Sequence, residues 1–245
     1  MNKYYTSLVS SDGFGAQFQK IIQTYIYCKI HQLNFAYRPL EFVEHNYDND
    51  NTYKDRLENL MNLKPNIINI NSNMEVQDLD FGSIVMEYVE KNIDACCESE
   101  HMQFIKECFW QNKNKKYFNN DKINVVIHIR RGNLHDKGQA GERITTPNSY
   151  YLNIMNKIRE KYNEKDIIFH IYSQGDLESF KCFESENKDV ILYLNSDLIE
   201  SFIGMVSANI LVTSPSSLSY VAALISDGEI YYKQFWHNPR KNWLV

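Results

Sequence analysis

The feature that most constrains the fold of this 245-residue chain is a run near its middle, Ile123 to Ile129, which from Val125 onward is apolar except for His128. A strand with so little polar alternation is expected where both faces of a sheet are covered, as in a parallel sheet packed under helices. Further strand patterns follow at Asp166 to Tyr172, Val190 to Leu194, Ile210 to Thr213 and Glu229 to Tyr232, with helical patterns between them. Strands alternating with helices specify a parallel α/β sheet. Pro147 marks the start of one such helix, with Thr146 as a plausible cap.

The first half reads as a second α/β segment. Tyr4 to Val9 predicts a strand, and the turn Ser10-Ser11-Asp12-Gly13-Phe14-Gly15 opens a helix from about Ala16 to Gln32, where Phe18, Ile21, Ile22, Tyr25, Ile26 and Ile30 recur at helical spacing. A second strand is expected at Asn34 to Tyr37, ending before Pro39, and a loop at Asn46 to Asn51. Thr52 caps a predicted helix through Leu63, and a third strand is expected at Ile67 to Ile70. Helical patterns follow around Ile84 to Ile93 and Met102 to Trp110. The polar, basic stretch Gln111 to Lys116 is the best boundary, giving lobes at 1–115 and 116–245.

Composition narrows the function. A hydrophobic fraction of 43% with 23% charged residues fits a globular protein. A formal net charge of −5 argues against a nucleic-acid partner. No apolar run approaches the ~20 residues of a membrane span, and the N-terminus lacks a signal-peptide pattern, so a cytoplasmic location is expected. The five cysteines lack CxxC spacing and read as reduced thiols, with no metal site expected.

The chemistry concentrates at His128-Ile129-Arg130-Arg131-Gly132-Asn133, where the strongest strand ends. Ligands of open parallel sheets bind beyond such carboxyl ends. A guanidinium fork grips phosphate oxygens bidentately, and strand alternation sends one of two adjacent arginines to each face. In isolation the two arginines could equally end a strand against carboxylates, and His128 could be a hydrogen-bonded core histidine.

His128-x-Arg130-Arg131-Gly132 resembles the H-x-R-R-G-D motif of the α1,2/α1,6-fucosyltransferase superfamily, which includes protein O-fucosyltransferases and rhizobial chitooligosaccharide fucosyltransferases. Asn133 stands where that family usually has Asp. Two further stretches are similar to it. Asp12-Gly13-Phe14-Gly15-Ala16-Gln17 resembles the glycine-rich opening of bacterial α1,2-fucosyltransferases, one residue shorter and with Ala16 for Asn. Val212 to Leu224, with Ser214-Pro215-Ser216-Ser217-Leu218-Ser219 at its centre, resembles the family's S-x-S-S-F-S-x-W-A-A segment between a strand and a helix, with different residues at the aromatic positions. Ser173-Gln174-Gly175-Asp176 is similar to its strand ending in S-D-D or T-D, where a carboxylate reads guanine; a helix N-cap is the alternative for Asp176, as it is for Ser216 or Ser217.

The resemblance implies a GT-B-like fold, two Rossmann-like lobes of helix-flanked parallel sheets with the donor cleft between them. The first lobe would face the acceptor and the second would bind the nucleotide sugar. It implies an inverting, metal-independent enzyme that uses GDP-fucose as donor substrate, needs no cofactor and has a glycan acceptor as partner. Arg131 would meet the β-phosphate; Gly13, Gly15, Gln17, His128, Arg130, Asn133, Ser173, Asp176, Ser214, Ser216 and Ser217 complete the expected donor site. Asp12 is the expected general base, with Glu44, His45, His135, Asp136 and Glu142 as alternatives. The loop Leu134 to Thr145 could close over the donor, and the Trp236 to Trp243 segment could form a lid or cap the sheet. Competing readings are another GDP-sugar as donor, or a noncatalytic nucleotide or glycan-binding module, which Asn133 and the altered glycine turn motivate.

Overall fold

In the computed structural model, which describes residues 3–46, 48–131, 146–162, 166–184 and 189–245, the chain divides into two compact units, Met1–Asn114 and Lys115–Val245. Both are parallel α/β structures.

The first unit carries a three-stranded parallel sheet. Its middle strand β1 (Lys3–Ser7) pairs with β2 (Asn34–Phe35) and with β3 (Glu75–Leu79). The crossover helix α1 (Phe14–Ile30) buries Phe14, Phe18, Ile21, Ile22, Tyr25 and Ile26, the stripe predicted from spacing. Thr52 precedes α2 (Tyr53–Met61), but its side chain does not cap the helix. Thr52 sits in a helical conformation, and its N–H and hydroxyl donate to Asp50 Oδ1 at 2.8 and 2.7 Å. Glu58 of α2 is buried and accepts from the Tyr37 hydroxyl at 2.9 Å and from Leu40 N–H at 2.6 Å. The chain leaving β2 is thereby fastened to α2.

The expected strand at Ile67 to Ile70 does not form; Asn69 makes an isolated bridge to Tyr37. The third strand is instead Glu75–Leu79, most of whose side chains are exposed, so that its polar sequence suits a sheet margin open to water. The helical pattern expected at Ile84 to Ile93 is broken into a π-helical turn at Phe81–Met86, α3 (Glu87–Lys91) and the start of α4 (Ile93–Glu98). Ser99 then caps α5 (Glu100–Trp110) by accepting from Met102 N–H.

The second unit is built on a five-stranded, all-parallel sheet of order β6-β5-β4-β7-β8. Its strands are β4 (Ile123–Ile129), β5 (Ile167–Ser173), β6 (Val190–Leu194), β7 (Ile210–Val212) and β8 (Glu229–Tyr231). The predicted apolar run is the central strand. Val125, Ile127 and Ile129 point to one face, where they pack with Phe169, Ile171 and Val212 against Tyr151, Ile154 and Ile158 of α6 (Asn148–Tyr162). Helices α7 (Leu198–Ser207) and α8 (Ser217–Ile225) complete the unit.

From β4 the chain builds outward through β5 and β6, then returns to add β7 and β8 on the other flank. The strand order therefore reverses between β4 and β7. In open α/β sheets the crevice for a ligand opens at such a reversal, beyond the carboxyl ends of the two strands.

Candidate functional site

At the reversal point His128, near the end of β4, meets Ser214, just past β7. Ser214 Oγ lies 2.9 Å from His128 Nδ1, and both side chains are buried. Burial, reinforced by the Arg130 charge, holds the His128 imidazole down at about 3, so the ring is neutral at physiological pH. A neutral ring can donate or accept at Nδ1 according to its tautomer.

Arg130 is the charge felt by His128, whereas Arg131 turns toward the start of α6. Its Nη1 donates to the Thr146 carbonyl at 3.2 Å and to its neighbour's carbonyl at 3.1 Å, and its Nη2 donates to Asn148 Oδ1. The guanidinium also lies 6.0 Å over the Phe180 ring. Asn148 in turn donates to the Ser179 carbonyl at 2.9 Å. One amide thus links the arginine at the end of β4 to the 3-10 helix Leu177–Phe183 that follows β5.

The Ser214 to Ser219 turn is stitched by its own hydroxyls. Ser216 Oγ accepts from Leu218 N–H at 3.3 Å and caps α8, on which Ser217 is the first residue. Ser219 Oγ accepts from Ser214 N–H at 3.3 Å and donates to the Ser214 and Ser216 carbonyls. Thr213 Oγ1 accepts from Lys233 N–H at 2.9 Å, which ties the exit of β8 to this turn.

Beyond β5, Ser173 Oγ donates to the Ile129 carbonyl at 2.8 Å and holds the β4 and β5 ends together. Gly175 adopts φ +129, a conformation side chains rarely tolerate, and its N–H and carbonyl are both held by the Asn195 amide, at 3.0 and 2.9 Å. Asp176 caps the 3-10 helix by accepting from Ser179 N–H at 3.0 Å, with the Ser179 hydroxyl on both its carboxylate oxygens. The N-cap role weighed for Asp176 is present in the structure.

In the first unit, Asp12, Gly13, Gly15 and Gln17 lie at the carboxyl end of β1 and the start of α1. Gly13 is the N-cap residue and has no side chain to supply a cap; a Cβ there would come within 2.9 Å of the His45 ring. Gln17 spends its amide on backbone, donating to the Asp12 carbonyl at 2.6 Å and the Phe42 carbonyl at 2.8 Å. Asp12 Oδ2 pairs with Lys20 and accepts from Ser10 Oγ at 2.7 Å. A pocket opens beside them, bordered by Ser7 to Ser10, by Gln17 and Lys20, and by Arg38 to Glu41. Arg38 is fixed there by Asp78 at 2.7 Å and by the Ser7 carbonyl at 3.2 Å.

The structure brings His128 and Ser214 together and sets Arg131 and Ser173 around the same strand ends. Gly132 and Asn133, with the loop bearing His135, Asp136 and Glu142, lie outside the described residues. Asn148 and Asn195 organise the site without having been singled out, Asn148 beside the Pro147 helix start; Ser219, which stands in the serine-rich segment, was not among the expected site residues. All five cysteines are free. Among the described residues no helix is long and apolar enough to cross a membrane.

No family model and no curated protein matches the chain. Its chain path is similar to that of NodZ alpha-1,6-fucosyltransferase soaked with GDP-fucose, at 10% identity over 92% of each chain and a TM-score of 0.45. Fucosyltransferase NodZ from Bradyrhizobium gives 10% identity over 92% of this chain and 93% of that one, with a TM-score of 0.43. POFUT1 in complex with GDP gives 11% identity over 93% of this chain and 70% of that one, with a TM-score of 0.35. At such identities and TM-scores the functional reading rests on the residues themselves.

Proposed function

We propose that the chain is a glycosyltransferase of the α1,2/α1,6-fucosyltransferase type, with the GT-B architecture of that group, which transfers fucose from GDP-fucose to a glycan hydroxyl. The observation that carries this reading is the Arg131 guanidinium, held by Thr146 and Asn148 at the carboxyl end of the central strand. The His128–Ser214 contact spans the strand-order reversal beside it. A dinucleotide-like diphosphate fits such a place on physical grounds.

As the bond from the sugar anomeric carbon to the diphosphate oxygen breaks, negative charge builds on the β-phosphate. A preorganised guanidinium stabilises that charge, so no divalent ion is needed. The acceptor hydroxyl attacks the opposite face of the anomeric carbon, which inverts it, and gives up its proton late to a base. We assign that role to Asp12, and the first-unit pocket beside it to the acceptor. In the second unit the Ser216 and Ser217 helix start receives a phosphate, and Asp176 receives guanine.

The test is GDP release from GDP-fucose, with GDP-mannose and UDP-galactose in parallel, in EDTA. Fucose-selective release that is lost in Arg131→Ala supports the assignment. Release equal from all donors, or undiminished in the variant, sinks it.

A further inference from the structure

Four residues of the second unit form one hydrogen-bonded chain at the carboxyl ends of β4 and β5. Arg131 Nη2 donates to Asn148 Oδ1, and Asn148 Nδ2 donates to the Ser179 carbonyl at 2.9 Å. Ser179 turns back on Asp176, giving its N–H to Oδ1 at 3.0 Å and its hydroxyl to both carboxylate oxygens at 3.1 Å. The same 3-10 helix meets Arg131 a second time, because the Phe180 ring under the guanidinium follows Ser179 directly and is anchored in the core.

The amide of Asn148 suits its place. A guanidinium only donates and a carbonyl only accepts, so the group between them needs an oxygen at one end and an N–H at the other. A second contact of Nδ2, to Cys182 Sγ at 3.3 Å, lies on the same helix. Asp176 at the far end of the chain is exposed, so a ligand can reach the carboxylate that Ser179 holds in place. Guanine presents its N1–H and 2-amino N–H along one edge, two donors for the two oxygens of a carboxylate.

We propose that Asn148 is a positioning residue through which the donor's base acts on the rate: guanine on Asp176 steadies the 3-10 helix, and Asn148 passes that constraint to the Arg131 fork. This deepens the donor reading above and rests on it. Binding energy from a part of the substrate remote from the reacting bond is thereby used to orient the group that stabilises the leaving diphosphate. No bond is made or broken in the step.

The test is release of nucleoside diphosphate by the full chain, with kcat and KM measured separately for GDP-fucose and for its inosine analogue, which lacks the guanine 2-amino group. Wild type is compared with Asn148→Asp, which keeps an oxygen for Arg131 but loses the N–H given to Ser179, and with Ser179→Ala, with melting temperature measured alongside. In wild type the analogue is expected to lower kcat about tenfold as well as raise KM, from the loss of one hydrogen bond to a carboxylate. In both variants the kcat ratio of the two donors is expected to fall toward one, while in Asn148→Asp their KM values stay apart. A merely structural Asn148 would slow both donors equally and leave the wild-type kcat ratio in place, which overturns the proposal. A wild-type base effect confined to KM overturns it too. If wild type turns over neither donor, the donor reading itself fails, and this inference falls with it.

Discussion

His128 Nδ1 and Ser214 Oγ, 86 residues apart in sequence, lie 2.9 Å apart across the point where the strand order of the second unit reverses. The contact couples the two strand ends that border the crevice, and it leaves a neutral imidazole sealed beneath the Ser214 to Ser219 turn.

That sealed imidazole gives a pH signature. The His128 ring titrates at about 3 in the folded protein, below its ordinary value of 6.5, and His170 is likewise held down at about 4 by burial. The unfolded chain therefore binds more protons between those values. Stability is full above pH 6.5 and is lost as pH falls through the window toward 3. Melting temperature is expected to fall steeply from pH 6.5 to 4, and His128→Asn, which keeps a polar atom near the Nδ1 position, is expected to flatten that slope. An unchanged slope in the variant would falsify the assignment of the acid lability to this ring.

Arg131 makes its contacts through a planar fork, with separate nitrogens to Thr146 and Asn148. Lysine keeps the charge but has no fork. Arg131→Lys is expected to lower turnover of GDP-fucose by about 10²-fold, the order seen when one preorganised donor to a developing oxyanion is lost. Steady-state kinetics with retention of the native melting temperature checks it; near-normal turnover would leave only a charge requirement.

The Asn195 clamp on Gly175 fixes the loop that carries Asp176. Gly175→Ala places a side chain at φ +129 and is expected to cost about 1–3 kcal/mol in denaturant melts. Asn195→Ala frees the same loop, and it is expected to raise the KM for the donor more than it lowers kcat.

In the first unit, Glu58→Ala removes both acceptors that meet the Tyr37 hydroxyl and Leu40 N–H inside the protein. A loss of about 2–4 kcal/mol is expected from two stranded donors, read as a shift in the urea midpoint. A shift below half a kcal/mol on that scale would mean that water reaches these groups once the carboxylate is gone.

The second unit was legible in the sequence because the central strands of its sheet are covered on both faces and read as apolar runs, of which Val125 to Ile129 is the purest. The first unit was less legible for the converse reason. Glu75–Leu79 is mostly exposed and reads as polar loop, while Ile68, which helped suggest a strand, is 56% exposed outside one. At the site, Arg131 and Ser214 stand in recognisable local patterns. Asn148 and Asn195 are isolated amides whose importance comes from what they reach across space, and no periodicity marks them.

An all-parallel sheet contains no hairpins, and this has a consequence for when the site comes into being. Each strand of the second unit must wait for a crossover to bring its neighbour alongside, and the β4–β7 pairing joins Val125 to Ile210. Such distant pairings form slowly, because large loops have to close before any contact rewards them. On a translating ribosome Arg131 and His128 emerge long before Ser214, so the crevice between the β4 and β7 ends is completed only after both strands have been made. A nascent chain that has not yet reached Ser214 therefore lacks the crevice in which we propose the nucleotide sugar binds.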